Sequence, residues 1–487
     1  MPVNPKNNST HISPSSTTSA PPEKQHFEKG LFVFHRDLRI VDNVGLLRAA
    51  KECRQLYTCF IFTPEQIGTH NKYRSKNAIQ FMMESLSELS KEIREHGGEL
   101  IVLFGDTTAM IRFLVHRLDV SAIYTNKDYT PYAIEREASV SRLSKSLQTT
   151  FIETNDYYLY EPGSVTTSTG KFYQKFTPFY DAVVSKQVPA PQTRSSYRSL
   201  SKFTGNLEYR TTLKEMLEKY GSVPSQTIVV NGGRKRALVR LRRATHNQSH
   251  YTVKRDQLSY ETTLLSAYIK FGCVSVREVY HAFVSAYGRG SGLVRELIWR
   301  EFFAHVLFGF SGVLDGYTYK GIHWRTSKTD FEKWKKGQTG VPIVDACMRQ
   351  MNETGYMHNR GRMIVANFLV KTLLLNWKWG EAYFAQTLVD YDVASNNGNW
   401  QSISGTGADQ KPYFRDMNPW IQSAKFDVDA EYIKKWVPEL RNVEPNAIHK
   451  WELYWNDAKY KKVAYPKPMV AYGEQKPKML EMYRDAK

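Results

Sequence analysis

The feature that most constrains the fold is a change of period along the chain. Up to about residue 160, short apolar runs alternate with amphipathic stretches of helical spacing, and from Gly232 to near residue 400 only the helical spacing remains. LFVF after Gly30, LYTCFIF, ELIVLFG and SAIYTN read as strands covered on both faces. Between them, Asn43–Glu52, Ser75–His96 and Thr107–Leu118 read as helices. In the second of these, Phe81, Leu86, Leu89 and Ile93 share one side, and Gly97–Gly98 closes the element. This alternation predicts a parallel, doubly wound, Rossmann-like α/β domain over residues 29–160. The opening strand is followed by HRDLRIVDN and not GxGxxG, so a dinucleotide is not held there in the usual way. GRGSG at Gly288–Gly292 lies between helical segments and reads as a flexible connection. Prolines, serines and weak periodicity mark 161–245 as an inter-domain crossing, and 246–465 as an all-α domain. Residues 1–28 read as a disordered tail and 466–487 as a polar surface tail.

The chain has 487 residues, a formal charge of +19 and a pI near 9.5. So positive a surface attracts polyanions, nucleic acid first. GGRKRALVRLRRA adds to this by grouping Arg234, Lys235, Arg236, Arg240, Arg242 and Arg243 on one helix. A solvated face is the usual fate of such a run, but with the global charge it leans toward phosphate contacts. Cys53, Cys59, Cys273 and Cys347 form no CxxC pair, which fits free thiols in a reducing compartment, and no metal motif is present. No secretory h-region and no apolar run of membrane-spanning length is found. The expected setting is intracellular and soluble, nuclear or cytoplasmic, with organellar or viral origin left open. A monomer acting on DNA is the expected partner state.

Chemistry concentrates in the second half. GYMHNRGRMI, the apolar segment Val365–Leu375, Trp377 and VDYDVASNNGNW set amides, a guanidinium and paired aspartates around a core-like helix, where polar groups need partners. A large polar ligand inside a helical domain is the expectation. In ELIWREFF, Glu296, Trp299 and Arg300 fall on one helical face, and an ion pair between Glu296 and Arg300 is the plain alternative to a ligand site. Asn359, Arg362 and Met363 repeat the spacing, so the two faces could enclose a planar ligand. Trp324, Trp377 and Trp400 are either core or a chain of indoles for electron transfer. Spacing does not decide between these.

Together these segments resemble the photolyase/cryptochrome family from about residue 30 to 445. The motifs carrying the likeness are FHRDLRIVDN, KFYQKFTPFYDA, TTLLSAYIKFGCVS, ELIWREF, TGVPIVDACMRQ, GYMHNRGRMI, VDYDVASNNGNWQ and PYFRDMNPWIQSAKFD. The resemblance implies an N-terminal antenna domain, a crossing, and a helical domain holding FAD, reduced and anionic in its active state. Tyr251 and the loop Thr262, Thr263, Leu264, Leu265 and Ser266 would meet the diphosphate. Arg362 and Asp390 would pair beside the isoalloxazine, with Tyr391, Asp392, Arg300 and Asn359 nearby and Asn396 facing N5. Asn at that position is similar to repair enzymes more than to plant-type or animal-type cryptochromes.

Within the family the chain is closest to class I-like enzymes that split cyclobutane pyrimidine dimers, through Glu296 and Asn359. A cryptochrome-like photoreceptor and (6-4) repair are the alternatives. Glu296, Trp299, Arg300, Asn359, Met363, Ser402 and Arg415 would meet the lesion or DNA, and Trp400, Trp377 and Trp324 would form the relay that reloads oxidised flavin. Three residues depart from the family pattern: Ser402 in place of a second lesion-stacking aromatic, Leu264 in place of an arginine, and Tyr356 in place of tryptophan. Trp420 is an extra indole that could compensate for Ser402. An antenna chromophore, folate or deazaflavin, is possible near HRDLRIVDN and NKDYTPYA and is not assignable from the motifs.

Overall fold

The computed structural model describes residues 27–192, 197–221, 225–310, 312–316, 321–410 and 412–486. The tail expected over 1–28 lies outside these except for Phe27 and Glu28, which already belong to the first strand. β1 (Phe27–Phe34), β2 (Cys53–Phe62), β3 (Leu100–Phe104), β4 (Ala122–Asn126) and β5 (Thr150–Thr154) form one parallel sheet in the order β3-β2-β1-β4-β5. In β1 the side chains alternate: Leu31 and Val33 join one buried cluster, Phe32 and Phe34 another. Both faces of the sheet are therefore covered, as continuous apolar runs require.

Helices Val44–Glu52, Lys76–Glu95, Thr107–Leu118 and Pro131–Ser146 connect the strands. Asn43, Ser75, Asp106 and Thr130 cap them, each side chain accepting a hydrogen bond from a first-turn N–H. The chain order reverses between β1 and β4, so a crevice opens at the carboxyl ends of the strands there. β5 and the helix before it extend the predicted four-strand pattern. TFIET is an edge strand with no inward apolar run, so periodicity does not reveal it.

The crossing returns along the sheet, bridging Leu200 to Leu56. Its helix Phe176–Val183 then packs on helix Gly292–Gly309 of the second domain, with Phe179 against Phe302. A buried charge network seals the joint. Arg277, on helix Val276–Tyr287, reaches Asp42 at 3.0 Å and Asp156 at 2.8 Å, and Arg39 meets Asp156 at 2.7 Å. Removing one member would leave a buried charge without compensation.

The second domain is helical, as expected, and continues beyond residue 400. Helix Gly292–Gly309 is buried nearly all round and crosses helix Val393–Ser404 so closely that a Cβ on Gly398 would lie 2.2 Å from Phe303. Helices Pro342–Thr354 and Asn359–Asn367, the latter running into a π-helical turn Phe368–Thr372, build the other core cluster. The polar surface tail expected over 466–487 is corrected. Helix Tyr472–Asp485 seals the domain, with Met479 and Tyr483 fully buried and the Tyr483 hydroxyl donating to the Ser404 carbonyl at 2.5 Å. Met479 and Tyr483, one turn apart, are its fully buried anchors, with Leu480 and Met482 packed beside them, while most of its other residues are polar. No helix among the described residues is long and apolar enough to cross a membrane.

Candidate active site

The loop before helix Ser266–Lys270 sorts its residues by polarity. Leu264 and Leu265 are buried in the core, whereas Thr262, Thr263 and Ser266 face outward. Leu264 sits at φ +53°, a left-handed conformation that is strained for a branched side chain. Its side chain is therefore core, and only its backbone can serve a ligand on the polar side. Ser266 Oγ donates to Asp390 Oδ2 at 2.7 Å, and the Arg362 guanidinium meets both Asp390 oxygens at 2.9 and 3.1 Å. Tyr356, the departure from tryptophan, lies hydroxyl to hydroxyl with Thr262 at 3.2 Å and has its ring under Arg362 at 5.4 Å. It ties the hydroxyl loop to the ion pair, a role the sequence does not signal.

Asn396 lies one turn into helix Val393–Ser404. Its Nδ2 donates to Glu381 Oε1 at 3.1 Å and to the Glu381 carbonyl at 3.2 Å. Its amide oxygen accepts nothing among the described residues. Burial raises the Glu381 carboxyl, against the bonds from Asn396 and Tyr73 that lower it. Glu381 is a site residue that no motif pointed to. Asp392, by contrast, is already engaged: it caps the helix through Ser395 N–H at 3.0 Å and pairs with Arg36 of the α/β domain at 3.0 Å. Burial would raise the Asp392 carboxyl, but Arg36 and Arg300 hold it below the ordinary range. Tyr391 turns away and stacks on Tyr73.

The two predicted faces are brought together by consecutive residues. Arg255 pairs with Glu296 at 2.8 Å, and Asp256 pairs with Arg360 at 2.7 Å, next to Asn359. The Glu296–Arg300 ion pair is not formed. Arg300 bonds Glu301 at 3.1 Å and lies over Tyr158 at 4.4 Å, in the seam with the crossing. Partial burial pushes the Glu296 carboxyl up while Arg255 draws it down. Tyr251 packs against the start of the Glu296 helix, where a Cβ on Gly292 would be 3.2 Å away. Trp299 gives one face to Phe176, ring centroids 3.6 Å apart and planes 5° apart. Asn359 is exposed with no side-chain hydrogen bond among the described residues, and Met363 is half-buried beside it.

Trp400 and Trp377 are buried and Trp324 is half-buried, all at the same core cluster. Gly380 admits the Trp400 ring, since a Cβ there would come within 2.2 Å of it. Ser402 is buried and its hydroxyl donates to the Asp409 carbonyl at 3.0 Å, so it closes a loop. The idea that Trp420 compensates for it is corrected: that indole is buried in the helical core and offers no stacking face. Arg415 is exposed. In the basic run, Arg234 pairs with Glu278 at 2.8 Å and Arg240 with Glu261 at 2.7 Å, leaving Lys235, Arg236, Arg242 and Arg243 outward.

Residues 31–194 match the family model described as DNA photolyase, and 293–485 match the FAD binding domain of DNA photolyase. Over 94% of its length the chain is 32% identical to the deoxyribodipyrimidine photo-lyase of Halobacterium salinarum, covering 99% of that protein. This chain belongs to the DNA photolyase family. The Escherichia coli deoxyribodipyrimidine photo-lyase is a similar relative, 32% identical over 93% of this chain and 98% of its own. Among solved structures, the photolyase fold recurs in the Sulfolobus tokodaii photolyase with two FAD molecules, at TM-score 0.82 and 37% identity over 94% of this chain and 100% of that one. It recurs in a class III photolyase of Agrobacterium tumefaciens, at TM-score 0.87 and 31% identity over 97% and 99%. A Synechocystis cryptochrome also superposes, at TM-score 0.84 and 25% identity over 94% and 100%.

The FAD-binding domain of the photolyase family has residues here that suit the cofactor. Outward hydroxyls at 262, 263 and 266, a guanidinium–carboxylate pair, and an unpartnered amide oxygen on Asn396 offer donors and acceptors for a diphosphate and a flavin edge.

Proposed function

We propose that this chain is a DNA repair enzyme that uses light to split cyclobutane pyrimidine dimers, with reduced FAD as electron donor. The observation carrying this reading is that Arg255–Asp256 tie together the helices bearing Glu296 and Asn359, through the Arg255–Glu296 and Asp256–Arg360 pairs, with Arg362 of the Arg362–Asp390 pair on the same helix as Asn359. When bound, reduced FAD supplies an electron donor activated by light. The protein's own work is then to hold and to exclude. Arg362, Asp390 and Ser266 fix the cofactor edge, and the Asn396 amide oxygen accepts a hydrogen bond without opposing negative charge. Glu296 accepts from a pyrimidine N–H, while Met363 and the uncovered edge of Trp299 keep water from the dimer. A dimer already disrupts base stacking, so drawing it into such a slot costs less than extruding intact bases.

Trp400, Trp377 and Trp324, ordered from buried to half-buried, support the reading of an inward electron relay. The outward basic side chains at 235, 236, 242, 243 and 415 support a phosphate-contacting surface, with affinity falling as salt rises. A cavity of about 600 Å³ at the β1/β4 crevice, lined by Arg36, Tyr73, Arg136 and Lys270 among others, supports a second planar chromophore.

The test is irradiated DNA incubated with FAD-loaded, reduced protein. Dimers are expected to disappear under blue light and to persist in darkness. Clearance in darkness, or none in light, defeats the repair reading. Retention of (6-4) products in the same sample separates dimer repair from (6-4) repair.

A further inference from the structure

Arg415 lies on the segment from Pro412 to Asn418, whose residues 414 and 415 are exposed, Phe414 by 60%. The Arg415 N–H donates to the Pro412 carbonyl at 2.8 Å and closes a turn. On one side the last helix holds this segment. The Tyr413 ring stacks on Tyr483, centroids 5.8 Å apart and planes 21° apart, and the Tyr472 hydroxyl donates to Asp416. On the other side stands the end of the helical stretch that begins at Asn359. The Met417 N–H donates to Asn367 Oδ1 at 3.2 Å, and Lys371 Nζ donates to the Arg415 carbonyl at 2.5 Å.

Lys371 is the costly member of this set. It sits in the π-helical turn Phe368–Thr372, is 3% exposed, and has core residues Leu369, Val370 and Leu373 around it in the chain. Burying an ammonium is unfavourable unless it is paired, and the Arg415 carbonyl is its one hydrogen-bond partner among the described residues. Burial draws the amine down to about 8, against the pull of Asp416. A methionine or leucine would fill the same space without that cost, so core packing does not account for the amine. Asn359, Met363 and Asn367 follow one another at i, i+4 and i+8 and run along one flank. The flank that starts with residues expected at the lesion therefore ends against the segment bearing Arg415.

We propose that Lys371 is a positioning residue for DNA, which fixes the Arg415 carbonyl and so aims the Arg415 guanidinium at a phosphate beside the dimer slot. The inference rests on the reading of Arg415 as a phosphate contact. The last helix and Asn367 fasten residues 413, 416 and 417. Among the described residues, only Lys371 fastens residue 415 itself from outside the segment.

The experiment measures binding of the FAD-loaded full chain to dimer-containing DNA in the dark over a series of salt concentrations. It compares wild type, Arg415→Ala, Lys371→Met and the double variant. Methionine keeps the apolar stem and removes the donor. Arg415→Ala is expected to lower the slope of log affinity against log salt by about one, the weight of one phosphate contact. Lys371→Met is expected to reduce the same slope and to lower affinity by roughly threefold to tenfold, the weight of one hydrogen bond, although the lysine is itself buried. Amides of residues 413–418 should exchange with deuterium faster, while flavin content and melting temperature hold. On the Arg415→Ala background, Lys371→Met should add nothing, because the route is already cut. Wild-type affinity and slope in Lys371→Met, beside a weakened Arg415→Ala, overturn this inference alone. Effects that multiply in the double variant overturn it too. So does loss of FAD or early melting in Lys371→Met, since the lysine would then support the domain. An Arg415→Ala protein with wild-type affinity and slope fails the phosphate reading on which the inference rests.

Discussion

Arg255 and Glu296 form an ion pair at 2.8 Å in which both side chains remain 38% exposed, so the carboxylate expected to meet the lesion already has a cation as its neighbour. An exposed pair of this kind contributes only about 0–1 kcal/mol to folding. Its geometry therefore bears on binding more than on stability. Glu296→Ala is expected to weaken binding and repair of dimer-containing DNA by roughly tenfold to a hundredfold, the weight of one charge-assisted hydrogen bond. FAD content and melting temperature should hold. Release of FAD by this variant would place Glu296 in the cofactor pocket and not the lesion slot.

Arg362→Ala should behave differently. Asp390 is only 9% exposed, and removing the guanidinium leaves its carboxylate with Ser266 as sole partner among the described side chains. Breaking such a pair costs up to about 3–5 kcal/mol. The flavin-to-protein ratio of the purified variant should fall sharply and its urea midpoint should drop. A variant that keeps both would show that the pair anchors neither fold nor cofactor.

His358 predicts a pH dependence. It caps helix Asn359–Asn367 by accepting the Arg360 N–H on Nδ1 at 3.1 Å, its Nε2 is buried without a partner, and burial pushes the imidazole down to about 4. The unfolded chain, with an ordinary value near 6.5, binds a proton more readily in between. Its contribution to stability is thus complete above that value and is lost as pH falls through about 4, by up to roughly 3 kcal/mol. His358→Asn keeps an acceptor for the cap and should flatten this part of the profile. Chemical denaturation of both proteins from pH 7 to 4 checks it, and parallel profiles would be the contrary result.

Ser402→Ala tests the position where the family carries a second aromatic. Because the hydroxyl serves the Asp409 carbonyl and not an open slot, the substitution should cost about 1 kcal/mol of stability. Affinity for dimer-containing DNA should be unchanged, as read by competitive binding against undamaged DNA. A drop in lesion affinity at constant stability would return Ser402 to the substrate site.

Much of the architecture is legible in the chain because it is local. Apolar runs between caps at Asn43, Ser75 and Asp106 mark the helices within a residue of where they lie, while the first two strands begin three or four residues before their apolar runs. Glu296/Trp299/Arg300 and Asn359/Arg362/Met363 share faces because one helical turn sets that spacing. Elements held by a few contacts escape the same reading: β5 is an edge strand, and the last helix has only Met479 and Tyr483 fully buried in a largely polar segment.

The sequence by itself determined the division into an α/β and a helical part, the order of the first four strands and the helices between them, the basic charge and the residue types gathered around residues 355–400, since each follows from periodicity, propensity or composition. Only the tertiary structure decided the pairings: Arg255 and not Arg300 for Glu296, Arg36 for Asp392 across 356 residues, and Glu381 for Asn396. Charges and amides have several suitable partners in any chain of this length. Which one they meet depends on how helices pack, and that is set by apolar contacts and close approaches such as Gly398 on Phe303, far from the polar groups themselves.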